Sequence, residues 1–307
     1  MERKNNWKGW LYLAPALILL GIFTLYPLLN TIAISFMKNY DYRSGSFDGL
    51  TFSNYGIVLG ITEVVPGIEA SKYTQFIQYA LPNTLILTAI TVPISVVLAL
   101  LIAIGINSIK FMKKFLQTAF FLPYVTNVIA VGMVFSLMFT TGGLINKLFN
   151  LTTNWVLVGA NRFNSMFVLC LYIIWTALPY KILIFLSGLQ NIDKQYYEAA
   201  RLDGSPKWKT VWKITVPLLS PQILYISITS FIGAFKEYNA VIGLFNRSYT
   251  ADGNVHDLYT VVYYIYDQLS GSNPHMDRAA AGAVILFLII LLFTFLQMYV
   301  SKKKVHY

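Results

Sequence analysis

The stretch EAARLDGSPKWKTVWKITVPLLSP runs from Glu198 to Pro221. Its first half lies between two long apolar runs, where a membrane protein needs only a connecting loop. The residues nevertheless spell two short helices with punctuation. Asp193 is placed to cap a first helix in which Ile192, Tyr196 and Ala199 fall near one face and Lys194 and Glu198 stand four apart on another. Gly204 supplies the tight or left-handed turn that ends it. Ser205 and Pro206 read as N-cap and first residue of a second helix, with Trp208, Val211 and Trp212 as its apolar stripe. Two short helices at a fixed angle can transmit force, which a plain connector does not need.

The rest of the chain says what that loop is attached to. Of 307 residues, 56% are hydrophobic, 16% aromatic and only 12% charged, far from the profile of a soluble globular protein. Six stretches reach the length of about 20 apolar residues that a bilayer crossing requires. They are roughly residues 10–36, 80–106, 115–139, 166–189, 214–235 and 279–300. The first is too long, and lacks a small-x-small cleavage site, to be a signal peptide, so it reads as a retained span. The single cysteine, Cys170, lies in an apolar run and reads as a small buried side chain. Neither a disulfide framework nor a Cys-rich metal site follows from it.

Charge sets the orientation. With the N-terminus inside, the inner segments hold fourteen Lys and Arg and the longer outer segments eight, so the positive-inside bias puts both termini in the cytoplasm. The formal charge of +10 is thereby a topology signal and not the footprint of nucleic-acid binding.

Prolines punctuate the spans: Pro15, Pro27, Pro82, Pro93, Pro123, Pro179, Pro217 and Pro221. Each frees a carbonyl and bends its helix, which lipid tolerates where protein or a watery cavity satisfies that group. Bent spans around a cavity suit a transporter. No Asp or Glu falls in the middle of a span, which disfavours an ion-coupled secondary carrier. Lys181 is the one clear intramembrane ionisable group, and its long stem is expected to snorkel to the inner interface. A place in the translocation path is the sharper alternative. No G-x-x-x-x-G-K-[ST] phosphate loop is present, and the histidines, His256 and His275 in an outer loop and His306 in the tail, suggest no metal site. If ATP powers this chain, a partner binds it.

With its spacing and location, the loop resembles the cytoplasmic "EAA loop" of permease subunits of binding-protein-dependent ABC importers. The matching residues are Glu198, Ala199, Ala200, Asp203, Gly204, Ile214, Pro217 and Pro221. The wider chain is similar to the carbohydrate-uptake branch, the maltose, multiple-sugar and glycerol-3-phosphate permeases. It shares the L-A-P-A at Leu13–Ala16, the N-T-L at Asn83–Leu85 and the F-L-P at Phe121–Pro123. Family sequences often have Ala at Ser205 and Phe at Trp212, changes that keep cap or apolar character.

The resemblance implies an all-α membrane protein of six transmembrane helices with the type I ABC-importer permease fold. It implies a cytoplasmic N-terminus over 1–9 and one permease domain over 10–307, with the coupling loop at 190–213. Glu198, Ala199, Ala200, Asp203, Gly204, Ser205 and Pro206 would seat in an ATP-binding cassette subunit, which alone would hold ATP and Mg; this chain would bind no cofactor. A second, related permease chain and an extracellular solute-binding protein would complete the assembly in a prokaryotic cell membrane, with lipid around the spans. The cargo is expected to be a saccharide. Glycerol-3-phosphate is the runner-up, disfavoured because Lys181 is the one cation available to a phosphate. A receptor or scaffold without transport is disfavoured by the capped double helix.

Sugars are held by aromatic faces and by amides or hydroxyls. Candidates for the path are therefore Tyr124, Asn127, Trp175 and Tyr180 from spans three and four, and Glu237, Tyr238 and Asn239 from the end of span five. The long outer segments 37–79 and 236–278 are expected to meet the binding protein, with Tyr249, Tyr259, Tyr263, Tyr264 and Tyr266 as sugar contacts or an interface belt.

Overall fold

The computed structural model describes residues 6–61, 75–109, 112–157, 159–245, 258–270 and 274–301. Tyr249, His256, His306 and several of the topology-setting cations lie outside the described residues.

Helices dominate. In chain order they are α1 (Asn6–Leu20), α2 (Tyr26–Ser35), α3 (Ser53–Val58), α4 (Leu81–Ser108), α5 (Lys113–Phe121), α6 (Val128–Met138), α7 (Leu144–Leu148) and α8 (Arg162–Gln190). There follow α9 (Lys194–Leu202), α10 (Lys207–Thr210), α11 (Val216–Leu218), α12 (Ser220–Phe235), α13 (Asn239–Phe245), α14 (Val261–Leu269) and α15 (Met276–Ser301). Among the described residues, four helical stretches are long and apolar enough to cross a membrane unbroken: Trp7–Ser35, Phe76–Ser108, Arg162–Gln190 and Met276–Ser301.

The other two expected spans are not straight. Lys114–Val125 and Val128–Met138 meet at 99°, and Lys207–Leu218 and Ser220–Phe235 meet at 67°. The third span breaks because Leu122–Val125 tightens into a 3₁₀ turn around Pro123 and Asn127 then starts a new helix. The Asn127 Oδ1 accepts the N–H groups of Ile129 (2.9 Å) and Ala130 (3.2 Å), an N-cap that fixes the restart. The fifth breaks at Leu219, between Pro217 and Pro221.

Proline also explains three wide turns. The π-helical segments Gly21–Leu25, Phe76–Ala80 and Val211–Thr215 each precede a helix whose second residue is Pro27, Pro82 or Pro217. A proline ring clashes with the carbonyl four residues back and offers it no N–H, so widening the turn keeps the helix running.

The described residues fall into two compact units. One comprises residues 1–77 and 264–287. Its segment between α2 and α3 is knit by the Met37–Leu50 bridge, by Asn54 Nδ2 donating to the carbonyls of Ser35 (3.0 Å) and Met37 (2.8 Å), and by the Asn39 N–H donating to Asp277 (3.1 Å). No residue in the most apolar window of its first span is buried.

The other unit comprises residues 78–263 and 288–307. Its core joins α4, α8 and α12 through Val92, Val96, Ala99, Ala103, Ile182, Phe185, Leu189, Leu219 and Ile226. Helices α6 and α13 approach until Gly132 faces Gly243; a Cβ on Gly132 would sit 2.8 Å from Gly243 Cα. Small residues allow such contact between helices where no water-driven force holds them together. At one end, Asn83 accepts from Arg162 (2.6 Å) and donates to the Tyr259 carbonyl (3.0 Å), while Thr84 Oγ1 accepts the Val261 N–H (3.0 Å). Buried polar groups are thus paired across α4, α8 and the segment before α14.

Candidate functional site

Two places in the second unit carry chemistry beyond packing. The first is a cavity of about 320 Å³, within the range of small-molecule sites. Helix α4 contributes Thr91 and Ser95, the bent third span Tyr124, α8 Thr176 and Lys181, and α12 Ser230. Glu237 and Asn239 complete it from the junction of α12 and α13. Bends at Pro123 and after Phe235 turn the chain so that these groups converge.

Each polar group has a local cause. Ser95 Oγ donates back to the Thr91 carbonyl, the usual way a hydroxyl is satisfied inside a helix. That leaves its oxygen free to accept from Lys181 Nζ. Glu237 Oε1 accepts the N–H groups of Tyr238 (3.1 Å) and Ala240 (2.9 Å) and so caps α13. Tyr172, fully buried, donates to the Val128 carbonyl and holds α8 against the start of α6.

Of the residues singled out in the sequence, Tyr124, Glu237 and Asn239 line this cavity. Tyr180 stands beside it, stacked on Tyr124 at 5.9 Å and hydrogen-bonded to the Tyr225 hydroxyl at 2.9 Å. Asn127 spends its carbonyl on the α6 cap, Trp175 stacks on Phe135 at 5.9 Å, and the Tyr238 ring packs on Tyr263 at 5.6 Å.

Lys181 departs from expectation. It does not snorkel: it is 6% exposed, inside the helix packing, with its ammonium on Ser95. Thr91, Ser95, Thr176 and Ser230 were missed in the sequence. A signal existed, since Thr84, Thr88, Thr91 and Ser95 recur at helical spacing in an apolar run and all are buried.

The second place is the loop after α8. Asp193 caps α9 by accepting the Gln195 N–H at 3.0 Å. At its other end Gly204 adopts φ +65°. The Ser205 N–H reaches the Ala200 carbonyl (2.9 Å) and the Gly204 N–H reaches that of Arg201 (3.1 Å), the paired bonds of a Schellman stop.

One local expectation fails. Pro206, not Ser205, is the N-cap of α10. The inward face of α9 is Tyr197 and Ala200, with Tyr196 and Ala199 exposed, because the partner is Thr215, whose hydroxyl lies 3.2 Å from that of Tyr197. Glu198, Ala199, Asp203, Gly204 and Pro206 therefore face outward. Leu202 is 90% exposed, and Trp208 and Trp212, packed edge to face at 5.4 Å, are also uncovered. Among the described residues no group of three or more His, Cys, Asp or Glu could hold a metal ion.

Comparison with known proteins agrees with this architecture. The chain is 29% identical over 311 aligned residues to the lactose transport system permease protein LacF of Rhizobium radiobacter, covering 99% of this chain and 97% of that protein. It is 32% identical to the arabinooligosaccharides transport system permease protein AraP of Bacillus subtilis, covering 92% and 84%. Its fold matches a chain of a bacterial ABC transporter involved in the import of the acidic polysaccharide alginate, with TM-score 0.78 at 18% identity over 98% of this chain and 96% of that one. Residues 95–306 match the inner membrane components of binding-protein-dependent transport systems, and the chain belongs to that family.

Proposed function

We propose that this chain is the membrane-spanning subunit of an ATP-driven saccharide importer in a prokaryotic cell membrane. The observation that carries the reading is the pairing of a cavity, where hydroxyl, amide and charged groups meet the Tyr124 ring, with a capped, Schellman-stopped helix whose outer face is bare. Relatives named for lactose and for arabinooligosaccharides support a sugar as cargo. Both termini and the 190–213 loop face the cytoplasm, by the distribution of Lys and Arg.

In this reading Glu198, Ala199, Leu202 and the Gly204 turn sit in a groove of an ATP-binding cassette subunit. That partner holds ATP and Mg; this chain binds neither. Closure of two such subunits swings α8 and α12, which line the cavity, between inward- and outward-facing arrangements. A second, related permease chain stands beside this one, and a solute-binding protein delivers cargo at the outer mouth.

The test is to purify the chain with its partners in lipid nanodiscs and measure ATP hydrolysis across a saccharide panel, with glycerol-3-phosphate included, in the presence of the solute-binding protein. Stimulation by a saccharide is expected. Uptake by the isolated chain in liposomes, driven by an ion gradient alone, would overturn the reading.

A further inference from the structure

Resting on the saccharide reading, we propose that Lys181 makes the cavity selective for sugars bearing a carboxylate, with its ammonium facing that group. Lys181 is 6% exposed and lies on the cavity lining. An ammonium taken out of water is costly unless it is paired and hydrogen-bonded. One of its three N–H donors goes to Ser95 Oγ. The Ser95 proton is already committed to the Thr91 carbonyl, so the direction of that bond is fixed and the serine contributes no negative charge.

Among the described residues no carboxylate meets the need. Glu237 is the one acid on the lining, and it forms no ion pair with Lys181; its Oε1 is held by the Tyr238 and Ala240 N–H groups as the α13 cap. The missing anion is then a property of the cargo. The remaining lining suits the rest of a sugar: Thr176 and Ser230 hydroxyls for its hydroxyls, and the Tyr124 ring for a C–H face. One carboxylate fits better than a phosphate dianion, because Glu237 opposes a second negative charge in the same cavity.

The test uses the complete importer, permease pair with ATPase subunits, in nanodiscs without the solute-binding protein, so that only the permease site selects. Binding is measured by calorimetry for two matched pairs, each differing by one carboxylate: cellobiose against cellobiouronic acid, and galactose against galacturonic acid. The ammonium meets a full negative charge on the acidic sugar and only a hydroxyl dipole on the neutral one, so a preference of about tenfold or more for the acidic sugar is expected. It should fall to parity in Lys181→Met and survive in Lys181→Arg.

If Lys181→Met does not insert, the same comparison is made after folding. Lys181→Cys in a Cys170→Ser background, modified to an aminoethyl disulfide, should keep the preference, and a methyl disulfide should abolish it. Equal or tighter binding of the neutral sugars to the wild type, or a preference that survives loss of the charge, overturns the inference while leaving the saccharide reading intact. Binding of none of the four sugars removes the cavity as a sugar site, and with it both.

Discussion

Replacing three helical glycines by alanine separates packing from backbone propensity. In Gly132→Ala the new methyl lands 2.8 Å from both Cα and C of Gly243, inside any permissible contact. These are backbone atoms of α13, so relief requires the two helices to separate. Overpacking of this kind costs about 1–3 kcal/mol, against a gain of nearly 1 kcal/mol from the better helix propensity of alanine. Gly105→Ala meets nothing within 4 Å and keeps the gain. Gly188→Ala meets Leu219 Cδ2 at 2.8 Å and Gln222 Cγ at 3.0 Å, side-chain atoms that can rotate, so it falls between. The expected gap between Gly132→Ala and Gly105→Ala is about 2 kcal/mol, roughly 30-fold in the unfolding equilibrium. Unfolding of the purified complex in mixed SDS and dodecylmaltoside micelles, followed by loss of helical signal, reads it. Were Gly132→Ala as stable as Gly105→Ala, the close approach of α6 and α13 would be wrong.

Gly204 has φ +65° with no neighbour within 4 Å of a Cβ. Valine there should uncouple ATP hydrolysis from uptake and asparagine, which tolerates that conformation, should largely retain coupling; equal activity in both variants, measured in proteoliposomes, would remove the strained turn from the mechanism. His275 has its basicity lowered, first by burial and then by the nearby Arg278. A depressed folded value leaves the unfolded state holding more protons, so stability is full above the ordinary histidine range near 6.5 and is lost as pH falls below it. Thermal unfolding between pH 5 and 8 should show that slope in the wild type and a flatter one in His275→Gln; identical slopes would refute it.

The long helices were legible because an apolar run of membrane length admits few structures: α4, α8 and α15 fall where the hydropathy put them. The bends were not, since hydropathy averages over Pro123 and Asn127 and cannot weigh a side-chain cap against the helix ladder. The caps of α9 were legible for the opposite reason: Asp193 and Gly204 act on neighbours two to five residues away. Its buried face was not legible, because the decisive partner, Thr215, is eighteen residues on. Lys181 failed similarly. Its distance from the helix end permits either snorkelling or burial, and only the placement of Ser95, eighty-six residues earlier, decides.

Those same long-range contacts bear on how the proposed coupling would work. A lever transmits displacement only if it is stiff along its length and fixed at its base. Helix α9 is closed at both ends, by the Asp193 cap and the Gly204 stop, so its nine residues resist fraying under load. At its base the Tyr197 hydroxyl meets that of Thr215, and four residues on Leu219 is fully buried among α4, α8 and α12. In that coupling a push on Glu198 and Leu202 would reach α8 and α12, the helices that carry Lys181 and Ser230 into the cavity. Close-packed cores respond to such a push by switching between discrete arrangements and not by yielding gradually. It follows that Tyr197→Phe, which removes the hydroxyl contact to Thr215 but leaves the outer face intact, should preserve assembly with the ATPase while lowering the sugar transported per ATP. If uptake and hydrolysis instead fall together in proportion, the base of α9 carries no force.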